Sequence, residues 1–147
     1  MNGLEPAAAM QGLIKAEFIQ AALEAARQAY APYSGFRVGA ALLLENGETV
    51  TGANVENVSY GLTICAERSA LVRAVAEFGS EIRIAAVAVV NLNSAASPPC
   101  GACRQMLAEF TSPDTPVSFP AGDAGKVAMT TVPFSEVLPF GFDMKLK

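Results

Sequence analysis

The stretch "FRVGAALLLENGETVTGANVE", residues 36–56, decides how this chain is read. Two apolar runs, 36–44 and 48–56, flank Glu45, Asn46 and Gly47, and Asn-Gly supplies the positive φ angles of a tight hairpin turn. Two antiparallel strands follow from that. Upstream, Phe18, Ile19, Ala22, Leu23, Ala26 and Tyr30 recur at helical spacing from Lys15 to Tyr30, and Pro32 stops the pattern. Downstream, "CAERSALVRAVAEF" (65–78) spaces Ala66, Leu71, Val75 and Phe78 as one helix face and ends at Gly79. "IRIAAVAVV" (82–90) is a continuous apolar run of strand length, typical of a strand covered on both faces. After the loop "NLNSAASPP", the segment "CGACRQMLAEF" (100–110) reads as a helix with Pro99 just before its first turn. Two further strands, 116–119 and 126–132, surround a Gly-Asp-Ala-Gly turn, and "FSEVLPFGF" closes with a short helical turn and an aromatic tail. The order αββαβαββ describes an α/β fold, a three-layer α/β/α arrangement around one mixed five-stranded sheet, with residues 1–147 forming a single domain. Sites in such sheets gather where strand ends meet helix starts, and that is where both cysteine motifs fall.

Composition narrows the function. A hydrophobic fraction of 52% against 16% charged residues is high for a chain of 147 residues and favours apolar surface buried between subunits. The net charge of −4, with no run of Lys or Arg, argues against nucleic acid as a partner. No apolar stretch reaches the ~20 residues that span a bilayer, and "MNGLEPAAAM" lacks the basic start of a signal peptide, so a cytoplasmic protein without a membrane partner is expected. In that compartment three cysteines are expected to be thiols or metal ligands.

The absence of histidine excludes Ser-His-Asp sites, Cys-His nucleophiles and His-Glu-x-x-His zinc sites. Cys100 and Cys103 are three apart at a helix start, where two thiolates can grip one metal, and Cys65 opens a second helix. Three readings of "PCGAC" compete. A structural zinc site normally needs four nitrogen or sulfur ligands, and the chain offers three cysteines. A Cys-x-x-Cys redox pair leaves Cys65 and Glu67 unexplained. Three protein ligands with one open position is the coordination of a catalytic zinc, whose bound water ionises near neutral pH. Glu67, two residues from Cys65, is the carboxylate available to move protons there, although a glutamate in a first helical turn is ordinarily a solvated residue favoured by the helix dipole.

"CAE" followed by "PCGAC" resembles the zinc-dependent cytidine deaminase superfamily. "YAPYSGFRVGAAL", "TGANVENVSYGLTICAERSA" and "SPPCGACRQMLAEF" narrow the resemblance to the small homotetrameric, three-cysteine cytidine deaminases of pyrimidine salvage, over nearly the full chain. The resemblance implies hydrolysis of cytidine and 2′-deoxycytidine to the uridine counterparts with release of ammonia. It implies one Zn²⁺ per subunit on Cys65, Cys100 and Cys103, with Glu67 as the catalytic proton shuttle. It assigns the ribose 3′-hydroxyl to Asn54 and Glu56, which lie two apart on an extended segment and so share a face. Further substrate contacts fall to Phe36, Tyr60, Ala66 and Phe142, the last reaching a neighbour's site in a tetramer with shared active sites. The family tail is closer to Leu-Pro-Gly-Ala-Phe, and here Phe140 stands where the glycine would be. Blasticidin-type deaminases share the zinc motifs but lack the ribose segment present here as "NVEN". A zinc-stabilised binding module would need neither Glu67 nor Glu56. Zinc with three thiolates carries a formal charge of −1, so Arg68, three residues beyond Cys65 on the same helix face, is expected to compensate charge by hydrogen-bonding a ligand sulfur.

Overall fold

The computed structural model describes residues 12–144. Its elements follow in the order α1 (Ala16–Ala26), β1 (Val38–Leu44), β2 (Thr49–Ala53), a 3₁₀ turn (Tyr60–Leu62), α2 (Ala66–Phe78), β3 (Ile84–Asn91), α3 (Gly101–Ala108), β4 (Pro116–Ala121), β5 (Ala128–Pro133) and α4 (Phe134–Val137). The strands form one sheet in the order β2-β1-β3-β4-β5. Only β3 and β4 run parallel, because α3 lies on the connection between them, whereas the other neighbours pair antiparallel.

Strand alternation sorts the core into two layers. Ala40, Leu42 and Leu44 of β1 and Val87 and Val89 of β3 pack with Ala66, Ala70, Leu71 and Ala74 of α2 and Leu107 of α3. The opposite face, Ala41, Ala86, Ala88 and Val90, receives Phe18 and Ala22 of α1. The arrangement is therefore helix, sheet, helix, as the period of the sequence requires. Burying each of the leucines stabilises the fold by roughly 1.5–3 kcal/mol.

Two of the helix–sheet contacts are closer than side chains allow. A Cβ on Gly39 would strike the backbone of α1, with Ala26 N only 2.6 Å away. A Cβ on Gly52 of β2 would lie 2.7 Å from the Ala66 carbonyl oxygen and 2.9 Å from Ala70 Cα. The second contact fixes the depth at which α2, and hence the Cys65–Glu67 turn, sits on the sheet.

Two local expectations change. The hairpin uses one positive φ angle: Gly47 adopts φ 91°, and its N–H bonds the Leu44 carbonyl at 3.0 Å. The loop is thus a four-residue turn with glycine in its last position, and Asn46 keeps a negative φ while its Oδ1 accepts the Glu48 N–H. The first helix ends at Ala26, so Tyr30 does not lie on its face. Tyr30 instead pairs with the 54–56 segment, donating to the Asn54 carbonyl at 3.0 Å and accepting from Glu56 N at 2.8 Å. Two strand-like bonds replace one more helical turn.

Candidate active site

Cys65 and Cys100 each cap a helix N-terminus, of α2 and α3 respectively, in extended backbone geometry. Their sulfurs are 3.7 Å apart, Cys100 Sγ is 3.5 Å from Cys103 Sγ, and all three lie within 4.8 Å of one another. A tetrahedral zinc with Zn–S bonds of ~2.3 Å needs sulfur edges of about 3.8 Å. The three thiols therefore fit a zinc ion. Among the described residues no carboxylate joins this cluster, which leaves one position of the tetrahedron open. Two helix N-termini direct free N–H groups at the cluster and favour its negative charge.

The electrostatics favour a thiolate at Cys65. Cys65 is lowered to about 5, chiefly by a hydrogen bond from Cys103, with Arg68 assisting against the cost of burial. Cys103 is pushed up as the donor of that bond, and its burial adds to the shift. Arg68 Nη2 lies 3.5 Å from Cys65 Sγ and 3.3 Å from the Thr63 carbonyl oxygen, while its Nε is buried without a partner among the described residues. The helix places Arg68 one turn above Cys65, as the spacing predicts.

Beside the thiols is a pocket of about 200 Å³ lined by Phe36, Val38, Asn54, Ala66, Glu67 and Val89, with Thr63, Ser97 and Pro98 at its margins. Glu67 is 4% exposed, and burial pushes its carboxyl above the usual range. An apolar slot with one buried acid beside a metal-binding cluster can bind a single flat ring and protonate it. A pocket this size is below the ~300–1,000 Å³ of sites for larger ligands.

Residues 14–118 match the family model described as the cytidine and deoxycytidylate deaminase zinc-binding region. The chain belongs to this deaminase family. The cytidine deaminase of Halalkalibacterium halodurans is 48% identical over 84% of this chain and 90% of its own length. The crystal structure of cytidine deaminase from Burkholderia pseudomallei is similar with a TM-score of 0.72 and 43% identity, covering 86% of this chain and 97% of that one. That of the Mycobacterium tuberculosis cytidine deaminase gives 0.71 and 37%, covering 87% and 96%.

Within this deaminase fold the expected site residues fall into three groups. Cys65, Ala66, Glu67, Cys100, Phe36 and Asn54 meet at the pocket, with Cys103 buried behind it. Glu56 and Asn54 are committed to backbone as well. Asn54 Oδ1 accepts from Val38 N at 2.9 Å, and Nδ2 donates to the Phe36 carbonyl at 2.8 Å. Glu56 Oε1 accepts from Tyr33 N at 3.0 Å and Ser34 N at 3.1 Å, and Oε2 from the Ser34 hydroxyl. These bonds, the Ser34 hydroxyl first, hold the Glu56 carboxyl below the usual range. Tyr60 and Phe142 lie outside the pocket and are largely exposed, Tyr60 forming a T-shaped pair with Tyr33 at 6.1 Å between ring centroids. Phe140 takes φ 55°, in the left-handed region that favours glycine, and its side chain is fully exposed.

The sequence reading passed over Asn91 and Asn93. Asn91 Nδ2 bonds the Ala95 carbonyl and Ser97 Oγ, and its Oδ1 accepts from Asn93 N and Ala95 N, which shapes the loop leading to Cys100. Asn93 ties that loop to Gly35 and Arg37. "NLNS" after a strand carries the signal, since Asn side chains fold loops back on their own backbone.

No helix among the described residues is long and apolar enough to cross a membrane.

Proposed function

We propose that this single-domain chain is a cytoplasmic, homotetrameric enzyme of pyrimidine salvage that hydrolyses cytidine and 2′-deoxycytidine to uridine and 2′-deoxyuridine, releasing ammonia. The carrying observation is the buried carboxyl of Glu67 beside three clustered thiols in a ring-sized apolar pocket. Cys65, Cys100 and Cys103 would hold a zinc ion, which would supply a water activated for attack at neutral pH. The pyrimidine lies against Phe36 and Ala66 in this pocket, which Val38 and Val89 also line. Glu67 accepts a proton from the attacking water and gives it to N3, which makes C4 electrophilic. The water oxygen bonds to C4, and Glu67 next takes the remaining proton from that oxygen and carries it to the exocyclic amine. The C4–N bond breaks, ammonia leaves, and C4 keeps the oxygen as the uracil carbonyl. Arg68 draws charge from Cys65 Sγ, offsetting the excess of three thiolates over one divalent ion.

Exposed Val55, Val58, Tyr60, Leu62, Ile64 and Phe142 supply apolar surface for neighbouring subunits, with Phe142 and Tyr60 completing a shared site. The deciding experiment measures zinc per chain, mass by light scattering and loss of cytidine absorbance in one sample. One zinc per chain, a four-chain mass and turnover abolished by a chelator and restored by zinc are expected. Turnover indifferent to the chelator overturns the reading.

Three donors already occupy Glu56, which leaves one acceptor site on Oε2 for a single sugar hydroxyl. Glu56→Gln is expected to raise KM for cytidine at least about tenfold, the loss of one charge-assisted hydrogen bond of ~1.5–3 kcal/mol. Slow turnover of free cytosine should stay within about twofold. Equal losses on both substrates mean that Glu56 only holds the 33–36 loop.

A further inference from the structure

We infer that Arg104 is a positioning residue that couples zinc occupancy of the three-thiol site to the seating of the C-terminal segment 137–142. Arg104 directly follows Cys103 on α3. Its Nε donates to the Pro99 carbonyl at 2.6 Å, and its Nη1 to the Val137 carbonyl at 2.7 Å. Pro99 is fully buried and immediately precedes Cys100. Its carbonyl lies outside α3, where no helical bond can satisfy it, and a buried carbonyl left alone costs about 1–3 kcal/mol. Val137 ends α4, a four-residue helix whose last carbonyls have no partner in the helix itself. One planar guanidinium thus fixes the turn that sets Cys100 against Cys103 and the point where the tail departs. The next residue extends the attachment, as Gln105 Nε2 donates to the Phe142 carbonyl at 3.2 Å. The helix that presents two ligands at its start therefore anchors the tail at two places. The salt bridges among the described residues do not involve Arg104, so its fork is free to serve the two carbonyls.

Such a clamp acts in both directions. Zinc fixes Cys100 and Cys103, which holds Pro99 and Arg104 and so seats Val137. By thermodynamic reciprocity a seated tail must strengthen zinc binding by the same free energy that zinc contributes to the tail, and a site bound more tightly releases its zinc more slowly. This rests on the three thiols binding zinc, and the test separates the two ideas.

Zinc release to an excess of chelator and hydrogen exchange of the peptide 134–144 are measured on the full chain. Wild-type protein is expected to hold one zinc per chain, with faster exchange over 134–144 once zinc is removed. In R104Q zinc release should quicken about 10–100-fold, the usual effect of losing a group that orients metal ligands, and exchange should be fast with or without zinc. R104K retains the cation but cannot fork across both carbonyls, so its release rate should fall between the two, which keeps the test usable if R104Q folds poorly. Q105A frees Phe142 alone and should quicken exchange near residue 142 while zinc release stays within about twofold of wild type. Zinc release from R104Q within twofold of wild type, or exchange in the wild-type tail that ignores zinc, overturns the coupling. A wild-type chain that holds no stoichiometric zinc overturns the metal reading and the coupling with it.

Discussion

Glu67→Gln is expected to lose about 10²–10⁴ in kcat, the contribution of one positioned proton carrier, while the protein keeps its zinc and its fold. The carboxyl is 4% exposed and lies beside the thiol cluster rather than in it, so the amide fills the same space without removing a ligand. Burial already works against the ionised form of Glu67, and a neutral isostere does not pay that desolvation. Thermal stability should therefore stay level or rise slightly, which distinguishes a lost proton carrier from a damaged site. The chain has no histidine that could take over. Zinc analysis, a melting curve and single-turnover kinetics on cytidine provide the check. A variant that keeps more than about a tenth of wild-type kcat removes Glu67 from the proposed reaction.

Gly52→Ala tests the fold's hold on the same group through the packing of α2 on β2. The added methyl would sit against Ala70 N, 2.7 Å from the Ala66 carbonyl oxygen and 2.9 Å from Ala70 Cα. All three atoms are backbone, so no side chain can turn aside and the helix itself must move. Overpacking of this kind costs ~1–3 kcal/mol, or about 2–12 °C in Tm for a chain of this size. The displaced residues include Ala66, whose neighbours are Cys65 and Glu67. A shift of about 1 Å at a catalytic group can cost ~10²-fold in rate. Lower Tm together with a kcat reduced about tenfold or more is the expected result, measured on zinc-loaded protein. A Tm within about 1 °C of wild type with normal kcat would mean that α2 has slack, and that Gly52 does not set the depth of the site.

Much of this was legible in the chain because the relevant signals are local. Helical spacing, apolar runs of strand length and turn residues marked the elements, and the structure has them within a few residues, strands 38–44 and 84–91 burying alternate residues against opposite layers. The Gly47 turn and the helix starts at Cys65 and Cys100 are likewise properties of a few neighbouring residues. The end of α1 was misjudged because Tyr30 is held by Asn54 and Glu56, more than twenty residues away, through backbone bonds that periodicity does not register.

The candidate site divides in the same way. Residue inventory narrowed its chemistry: without histidine the thiolate and imidazole donors come down to three cysteines, and the Cys-x-Glu spacing puts a carboxylate near them. Arg68 was also within reach, because three residues on a helix is a fixed distance. Only the tertiary structure decided what Asn54, Glu56 and Arg104 do. Each of these side chains bonds backbone groups from segments that the fold, and not the sequence interval, brings alongside. Glu56 illustrates the limit, since a carboxylate with four acceptor sites looks free in a sequence and has three of them occupied once the 33–34 loop closes over it. The physical reason is the direction of hydrogen bonds: covalent geometry fixes where a side chain leaves the backbone within one turn or strand, but its partner is chosen by which distant backbone groups folding leaves unpaired.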